Sequence, residues 1–544
     1  IGDYRKSNGN THEVVNAAHA VAQGDRAAEA PDATDAGDVD LVVVGGGFAG
    51  LMAAHTFNRD GDGTCLLFDN HSIFGGEAKQ NEMVVDCFHL HAPQGSNGFT
   101  WPPHHPAWDE FGLPTNFDDL QWQRQASGID SPLRIPDDSF DSMGEDTAEA
   151  DIGYFYKDSS SPNGHRWIRN PWGNGFRDAP IPDEAKRQLM ALQGFEWRGA
   201  VPENWDRWLD SMSHKEFLEK YVGISRREVF DYLDPLMASS APGLGSDVVS
   251  AYHGKYYRGP SALRRLVDDG PYMDWEQDDS IYVSFPGGNA GIARHMVKTI
   301  LPDAIDGAHN LNDVLYGRVN WAELDRDGRK VRMRFDSTAV RVEHIGSPSS
   351  SSGVDVIYLK NGRHYRVRAK AVVMAGGQWI NKHVLRDKPT ELEVAMNEFH
   401  HAPMLTVNVA VRHWRYLEKL GISCARWFER EGFGWYTGLR APLVVDGKHM
   451  PIDPGKPTIL TFYIPFTSVV SHTGLSLREQ SLAARHALFG LSYAEIEGKI
   501  REQMTVMFGD YGFDADRDIA GIITNRWGHA YVVPQPGFYF GVDG

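Results

Sequence analysis

Two short hydrophobic runs near the start of the chain predict two strands of a buried sheet. The first is Leu41–Val44 and the second is Cys65–Phe68, and a glycine-rich turn with a stretch of helical length lies between them. Asp69 follows the second run directly. A strand, a glycine turn, a helix, a second strand and an acid, in this order, are typical of a unit that binds a dinucleotide.

The glycines of the turn have distinct predicted roles. Gly45 permits a tight turn, Gly47 lets the backbone approach a pyrophosphate, and Gly50 lets the helix pack on the strand. The helix presents free N–H groups and its positive dipole end to the phosphates. Asp69 lies about 20 residues after the turn, where an acid accepts a hydrogen bond from a ribose hydroxyl. A glycine turn without a ligand would not require that acid.

Later runs place further elements. Residues 371–374 form an apolar strand that ends at Ala375, Gly376 and Gly377, which suits close approach of the backbone to a large nucleotide. Ser492 and Glu495 form a capping pattern that predicts a helix ending near residue 508. The other runs that predict strands are 331–335, 339–345, 354–359, 405–411 and 458–464.

The predicted nucleotide sheet is completed only hundreds of residues after the glycine turn. Enzymes that bind NAD usually finish this fold within about 150 residues, so the interleaving favours FAD. The predicted fold class is α/β, with an FAD-binding Rossmann-type domain interleaved with a helix-rich substrate domain built on a mixed sheet. The predicted segments are an N-terminal arm (1–36), a first FAD-binding segment (37–100), a helical and aromatic insertion (101–283), a second FAD-binding segment (284–400), the substrate-domain sheet and helix (401–510), and a return to the FAD domain (511–544).

Composition excludes several classes of function. The chain has 544 residues, 41% of them hydrophobic, and a net charge of 54 − 73 = −19, which argues against a nucleic-acid partner. The charge is compatible with a cationic substrate or a basic redox partner, and equally with a solvated acidic surface. The 3 cysteines show no metal-binding spacing, so no metal site is predicted. The sequence contains no apolar run of about 18 residues, so no transmembrane helix is predicted.

Three stretches carry a resemblance to a known family. Residues 69–71, 74–82 and 525–531 are similar to those of the FAD-dependent amine oxidases of glutathione-reductase type, and most similar to the bacterial spermidine dehydrogenase-like flavoproteins. The likeness extends over most of the chain except parts of 100–210. It implies a two-domain FAD fold and oxidation of the C–N bond of an amine substrate.

The resemblance also implies which residues bind the cofactor. Gly45, Gly47, Gly50 and Asp69 match the family's first flavin segment. Glu77 stands where the family often carries Arg or His, so Lys79 is expected to make the phosphate contact instead. The remaining residues at matching positions are Asn70, Gly75, Gly76, Gly95, Ser96, Val340, Ala375, Gly376 and Gly377.

The two ends of the sequence depart from the family pattern. The family closes with a glycine-rich segment over the flavin ring, and no such segment occurs before Gly544. One expectation is a second polypeptide, made by cleavage, that supplies it, and the alternatives are a longer chain or a disordered end. The sequence starts at Ile1 and not at Met, and proteins of the family are often exported. Both points favour a periplasmic or secreted location over a cytoplasmic one.

Amine oxidation by a flavin mainly requires that the α-carbon of a neutral amine lie near flavin N5, so that a hydride can pass. Trp527, His529 and Tyr531 alternate, so on a regular strand they share one face, and the family places them near the flavin ring. Tyr463 lies on a predicted substrate-domain strand. These four residues are the catalytic candidates, and packing in a core is the alternative for each of them.

Two other functions remain open. An L-amino-acid oxidase would need an arginine that clamps the substrate carboxylate, for which Arg412, Arg415 and Arg526 are candidates. A flavin subunit that only relays electrons, or a non-catalytic one, is the second alternative. The family resemblance also allows a b-type haem, for which the sequence assigns no ligand. Oxygen, a quinone or a cytochrome could each reoxidise the flavin.

Overall fold

The computed structural model describes residues 12–24, 32–101, 133, 135, 151–193, 195, 202–240, 242–254, 281–428, 433–439 and 453–542. Much of the predicted N-terminal arm and a large share of the predicted 101–283 insertion therefore lie outside the described residues. The last two residues of the chain also lie outside them.

The strands of the described residues are numbered in chain order. They are β1 Thr34–Val44, β2 Cys65–Phe68, β3 Gln80–Val85, β4 Phe88–Pro93, β5 Phe99–Trp101, β6 Ile152–Lys157, β7 His165–Arg169, β8 Ile281–Val283, β9 Val331–Arg334, β10 Thr338–His344, β11 Val354–Lys360, β12 Arg363–Met374, β13 His401–Val411, β14 Cys424–Trp427, β15 Tyr436–Gly438, β16 Thr458–Ile464 and β17 Ile519–Val532.

The α-helices of the same residues surround these strands. They are His12–Ala22, Phe48–Asp60, Asp183–Gln193, Trp205–Asp210, His214–Phe217, Arg227–Ser240, Ala251–Gly254, Ala290–Ile300, Leu311–Tyr316, Trp321–Leu324, Gln378–Val384, Thr390–Glu398, Arg415–Leu420, Thr467–Val470, Leu477–Gly490, Tyr493–Phe508 and Ala515–Asp518. Among them, none is both long enough and apolar enough to cross a bilayer. The predicted cap of the helix Tyr493–Phe508 is confirmed, since Ser492 and Glu495 form a capping box.

The first sheet is the predicted nucleotide sheet. It has six strands in the order β10-β11-β12-β1-β2-β9. The strands β12, β1, β2 and β9 run parallel, and β10, β11 and β12 form an antiparallel meander at one edge. The helices Phe48–Asp60 and Ala290–Ile300 cover one face through a core that includes Leu51, Leu67 and Val297. The α/β fold class is therefore confirmed.

The second sheet has seven strands in the order β17-β13-β16-β15-β14-β6-β7. Its strands β13 and β16 are buried at every position, because packed elements cover both faces of the sheet. The strands predicted at 405–411 and 458–464 are present, but apolar and polar residues along them are equally buried. The strands β6 and β7 come from the segment predicted to be helical. The strand β17 also belongs to this sheet, whereas the sequence predicts that 511–544 return to the nucleotide domain.

A hairpin of β3 and β4 joins the two sheets. It follows the nucleotide unit in the chain, and its residues Met83 and Leu90 pack against Ala410 and Ile459 of the seven-stranded sheet. The last residues of β4 lead directly into the segment around Gly95. Packing of the hairpin therefore decides where that segment lies relative to both sheets.

Three buried asparagines fasten the hairpin to the seven-stranded sheet. The Asn81 side-chain oxygen accepts hydrogen bonds of 2.8 Å from the amides of both Asn408 and Asn525. The Asn408 amide also donates to the Pro93 carbonyl oxygen at 2.8 Å, and the Asn408 side-chain oxygen accepts from the Thr461 hydroxyl at 2.8 Å. Because a buried amide is costly without partners, this network fixes the register between the hairpin and the sheet.

We expect Asn408→Ala to destabilise the protein. The substitution leaves the Pro93 carbonyl and the Thr461 hydroxyl without these partners, which costs about 1–3 kcal/mol in the free energy of unfolding. Urea unfolding followed by tryptophan fluorescence measures the change. The exposed Asn397 on the helix Thr390–Glu398 provides the matched control, since Asn397→Ala should change the free energy by less than about 0.5 kcal/mol. Equal effects of the two substitutions would contradict a structural role for the network.

Candidate functional site

The glycine turn after β1 brings three backbone segments together. Gly45 adopts a φ of 116°, in the region that favours glycine, and its N–H donates to the Phe68 carbonyl oxygen at 2.8 Å. A Cβ atom on Gly45 would lie 2.8 Å from the backbone of Ala375. The glycine turn and the predicted cofactor residues 375–377 are therefore in direct backbone contact.

Gly50 has even less space. A Cβ atom there would lie 1.8 Å from the Gly45 carbonyl oxygen, so the helix Phe48–Asp60 packs on the turn only because residue 50 lacks a side chain. This contact places the beginning of the helix directly beside the turn.

The second predicted glycine pair lies against the same turn. Gly75 donates its N–H to the Gly46 carbonyl oxygen at 2.8 Å, and a Cβ atom on Gly76 would lie 3.0 Å from the Gly47 Cα atom. Gly75 and Gly76 both adopt positive φ angles, of 114° and 63°. The structure thus brings together the predicted residues of three separate sequence segments.

The helix Phe48–Asp60 begins in a manner suited to an anion. Gly47 is its N-cap residue and offers no side-chain oxygen to the first-turn N–H groups. Phe48 and Ala49 are exposed at this end. Backbone N–H groups and the positive end of the helix dipole are therefore available to a phosphate.

Asp69 lies at the end of β2, facing the turn. One carboxylate oxygen accepts from the Gly46 N–H at 2.6 Å, and the other accepts from the His71 N–H at 2.8 Å and the His71 imidazole at 3.0 Å. Burial opposes ionisation of Asp69, but these hydrogen bonds and the charge of Lys79 hold its pKa below the usual value. Each carboxylate oxygen has more than one lone pair, so the ionised group can also accept from a ribose hydroxyl.

Lys79 is buried and does not extend toward solvent. Its ammonium group donates to the Gly76 carbonyl oxygen and lies 5.2 Å from the centroid of the Trp527 ring. Burial lowers the pKa of Lys79 to about 8, although Asp69 and Glu77 oppose that shift. The side chain of Glu77 is exposed, and desolvation by the protein around it raises its pKa from the usual value. The charge of the buried Lys79 therefore depends on pH near neutrality.

The segment Gln94–Ser96 lies between the hairpin and β17. The Trp527 indole N–H donates to the Gln94 carbonyl oxygen at 2.7 Å, and the Tyr463 hydroxyl donates to the Gly95 carbonyl oxygen at 2.5 Å. A Cβ atom on Gly95 would lie 3.2 Å from the Trp527 indole nitrogen. Two of the four catalytic candidates thus contact the segment that is expected to pass the flavin.

The other two candidates lie elsewhere, because the pairing of β17 with β13 is irregular between Trp527 and Tyr531. The regular alternation on which a shared face depends is interrupted there. The His529 ring stacks on Trp379 with centroids 4.2 Å apart, and burial lowers the pKa of His529 to about 2. The Tyr531 hydroxyl donates to the Ser239 carbonyl oxygen at 3.4 Å. His529 is therefore uncharged near neutral pH.

The remaining predicted cofactor residues differ in how deeply they are buried. Val340 on β10 is buried against Ile357 on β11, while Asn70 is half-buried beside Asp69. The Gly376 carbonyl oxygen accepts from the Asn381 amide at 2.8 Å, and Gly377 is the N-cap of the helix Gln378–Val384.

Asn289 also contacts the predicted cofactor segment, although the sequence did not indicate it as a site residue. Its amide donates to the Ser96 hydroxyl at 2.8 Å and to the Gly98 carbonyl oxygen at 3.0 Å. The loop before the helix Ala290–Ile300 also needs glycine here, since a Cβ atom on Gly288 would lie 2.6 Å from the Ser96 carbonyl oxygen. The glycine loop at 287–289 is the sequence signal that could have found this contact.

A narrow cleft lies beside β14 and β15 in the seven-stranded sheet. Its volume is about 40 Å³, which accommodates a small charged group. Trp435 on its wall donates its indole N–H to the Ser239 hydroxyl at 2.8 Å, and the neighbouring Tyr436 pairs with Tyr463. Tyr463 in turn contacts the Gly95 segment. Its lining includes Asp231, Asp234, Trp427, Phe428, Phe433 and Trp435.

Comparisons with known proteins agree with this architecture. Residues 43–111 match the family model of the NAD(P)-binding Rossmann-like domain. A triple mutant of putrescine oxidase superposes with a TM-score of 0.50 at 14% sequence identity, covering 92% of this chain and 87% of that chain. The chain shares its fold with putrescine oxidase. No curated protein sequence matches it.

Two further solved structures are similar. Cyclohexylamine oxidase from Brevibacterium oxydans IH-35A has a TM-score of 0.49 at 15% identity, covering 92% of this chain and 90% of that chain. A fatty acid isomerase from P. acnes has a TM-score of 0.44 at 11% identity, covering 90% and 86%. Likeness at such identities shows the fold alone, so the reaction has to be argued from the residues of the site.

We expect Gly50→Ala to disrupt the turn. The new Cβ atom would meet the Gly45 carbonyl oxygen, and the backbone shift that relieves this contact should cost about 1–3 kcal/mol. The melting temperature and the amount of dinucleotide that co-purifies should both fall. Gly498→Ala is the control, since Gly498 is exposed in the helix Tyr493–Phe508 and has nothing within 4 Å of the new atom. A Gly50→Ala protein with wild-type stability and dinucleotide content would contradict this account of the turn.

Proposed function

We propose that the chain is an FAD-dependent oxidoreductase that oxidises the C–N bond of a small amine of diamine or polyamine type. The amine loses a hydride and a proton and becomes an imine, which water hydrolyses to an aldehyde. When bound, FAD supplies the acceptor for the hydride. The chain's own residues bind the cofactor, place the amine and limit the access of water.

The observation that carries the proposal is the close packing of backbone segments around Gly45, Gly47 and Gly76. Its free helix N–H groups suit a pyrophosphate, and Asp69 suits a ribose. The cofactor segments continue through Gly95 toward the seven-stranded sheet. FAD is favoured over NAD because the strands of the nucleotide sheet come from distant parts of the chain, β1 and β2 before residue 70 and β9 to β12 after residue 330. The residues present therefore fit the group.

The aromatic cleft supports an amine substrate. The faces of Trp427 and Trp435 attract a cation by about 0.5–2 kcal/mol each. The carboxylate of Asp231 adds negative charge, although Arg227 pairs with it at 2.8 Å. Tyr463, the strand partner of the Tyr436 that follows Trp435, holds the Gly95 segment together with Trp527.

The arginines proposed for an L-amino-acid oxidase are placed differently. Arg412 pairs with Asp86 at 3.0 Å, and Arg526 donates to the Leu491 carbonyl oxygen at 2.9 Å. Arg415 is exposed and lies near Gly455. None of these contacts directs an arginine to the Gly95 segment, so the geometry supports an amine over an α-amino acid.

Several finer expectations stay predictions. They are the likeness to spermidine dehydrogenase, the b-type haem, the identity of the electron acceptor as oxygen, a quinone or a cytochrome, the second polypeptide, and the periplasmic or secreted location.

Anaerobic reduction of the bound flavin tests the proposed reaction. We expect putrescine or spermidine to bleach the flavin absorption within seconds to minutes, because two electrons pass from the amine to the flavin. The diol 1,4-butanediol is the control, since it has the length of putrescine but lacks nitrogen. Bleaching by L-α-amino acids alone would favour the amino-acid oxidase. A flavin that no amine reduces would contradict the proposal.

A further inference from the structure

Three metal-ligating side chains meet behind the aromatic cleft, although they are distant in sequence. Asp234 lies on the helix Arg227–Ser240, Asp247 follows in a loop, and His472 comes after the helix Thr467–Val470. One ligand atom from each lies within 4.8 Å of the others. The sequence gives no metal-binding spacing here, because three separate segments contribute.

The hydrogen bonds within the cluster orient these groups. The His472 imidazole Nε2 lies 2.6 Å from Asp234 Oδ2, and the Ser246 N–H donates to Asp234 Oδ1 at 2.9 Å. Asp247 Oδ2 accepts from the His472 N–H at 2.7 Å and from the Gln480 amide at 2.8 Å. Both oxygens of Asp234 are thus hydrogen-bonded, whereas Asp247 Oδ1 is buried without a partner. A cation bound to His472 Nε2 and Asp234 Oδ2 would replace the proton that these two atoms now share.

Additional oxygen atoms around the cluster lack hydrogen-bond partners. Asp247 Oδ1, Ser471 Oγ and Gln480 Oε1 are buried without a partner in the described residues. Ser471 is 3% exposed and Gln480 is 0% exposed. A single point, where a Cβ atom of Gly245 would be, lies 2.3 Å from Ser471 Oγ and 2.8 Å from Asp234 Oδ2. The Ser471 hydroxyl oxygen and Asp234 Oδ2 are therefore no more than 5.1 Å apart.

We propose that Asp234, Asp247 and His472 bind a divalent transition-metal cation of the Zn²⁺ class. Carboxylate oxygens together with a neutral imidazole nitrogen are ligands that Zn²⁺ accepts, whereas Ca²⁺ and Mg²⁺ prefer oxygen alone. The ligand atoms are His472 Nε2, Asp234 Oδ2 and Asp247 Oδ1. Ser471 Oγ, next to Asp234 Oδ2, can hold a metal-bound water.

A simple ion pair explains less of the geometry. A protonated His472 would satisfy Asp234, but it would leave the three acceptor oxygens without donors, which is costly in a buried place. A cation gives the unpartnered Asp247 Oδ1 a partner, and a water bound to the metal can donate to Ser471 Oγ. The site would fasten the helix Arg227–Ser240, whose Asp234 also lines the aromatic cleft, to the segment 471–480. Its role is structural and does not depend on the proposed amine oxidation.

Titration of the purified full chain with ZnCl₂ tests the proposal. After dialysis against EDTA and then metal-free buffer, we expect isothermal calorimetry to show saturable binding of about one Zn²⁺ per chain, and the melting temperature to rise with the metal. The measurement reads metal binding alone, so it holds whether or not amines reduce the flavin. Absence of saturable binding, with an unchanged melting temperature, would overturn the proposal and leave an ion pair with buried water.

Variants locate the site. Asp247→Asn keeps the shape of the side chain, and both it and His472→Gln should weaken Zn²⁺ binding at least tenfold. The control is His486→Gln, because His486 is exposed on the neighbouring helix Leu477–Gly490 and should leave binding unchanged. Wild-type affinity in a folded Asp247→Asn or His472→Gln protein would place the metal elsewhere and refute the assignment. If both variants fail to fold, the wild-type stoichiometry and melting shift still decide.

Discussion

The whole site depends on backbone packed directly against backbone at the first glycine turn. Gly45 touches the end of β12, Gly50 touches Gly45, and Gly76 touches Gly47, each at a distance that excludes a side chain. Because bulk is absent here, the first helix, both cofactor strands and the second glycine pair converge on one point. That convergence leaves the helix N–H groups and the Asp69 carboxylate on the same side. The chemistry proposed for the protein begins from this joint.

A cofactor that extends beyond the nucleotide unit also needs the two sheets to keep a fixed relation. The buried amides of Asn81, Asn408 and Asn525 provide that relation, since a slip by one residue would leave several of them without partners. The hairpin of β3 and β4 leads into the Gly95 segment. Trp527 and Tyr463 of the seven-stranded sheet donate hydrogen bonds to the carbonyl oxygens of this segment. The predicted cofactor segment at Gly95 and the seven-stranded sheet are thus linked through hydrogen bonds.

The sequence predicted best what is local in the chain. The βαβ unit, the acid after its second strand and the capping box at Ser492 each depend on a few neighbouring residues, and all three are present in the structure. Burial along β13 was not predictable, because it depends on distant elements that cover both faces of the strand. The irregular pairing of β17 likewise follows from its partner strand, and it separates His529 and Tyr531 from Trp527. The cluster around His472 joins three distant segments, so no spacing in the sequence could show it.

The same scaffold can serve different reactions. The proposal of a cationic substrate depends on the cleft that Trp427 and Trp435 line together with the acidic residues Asp231 and Asp234 of the helix Arg227–Ser240. Each step of that inference still depends on a flavin dinucleotide held at the glycine turn.

The most direct test is therefore the cofactor content of the purified, folded chain. Heat denaturation should release FAD, and liquid chromatography of the supernatant should find about one FAD per chain, with no comparable amount of NAD or NADP. Protein that releases no flavin, and that binds none when FAD is added back, would contradict the account.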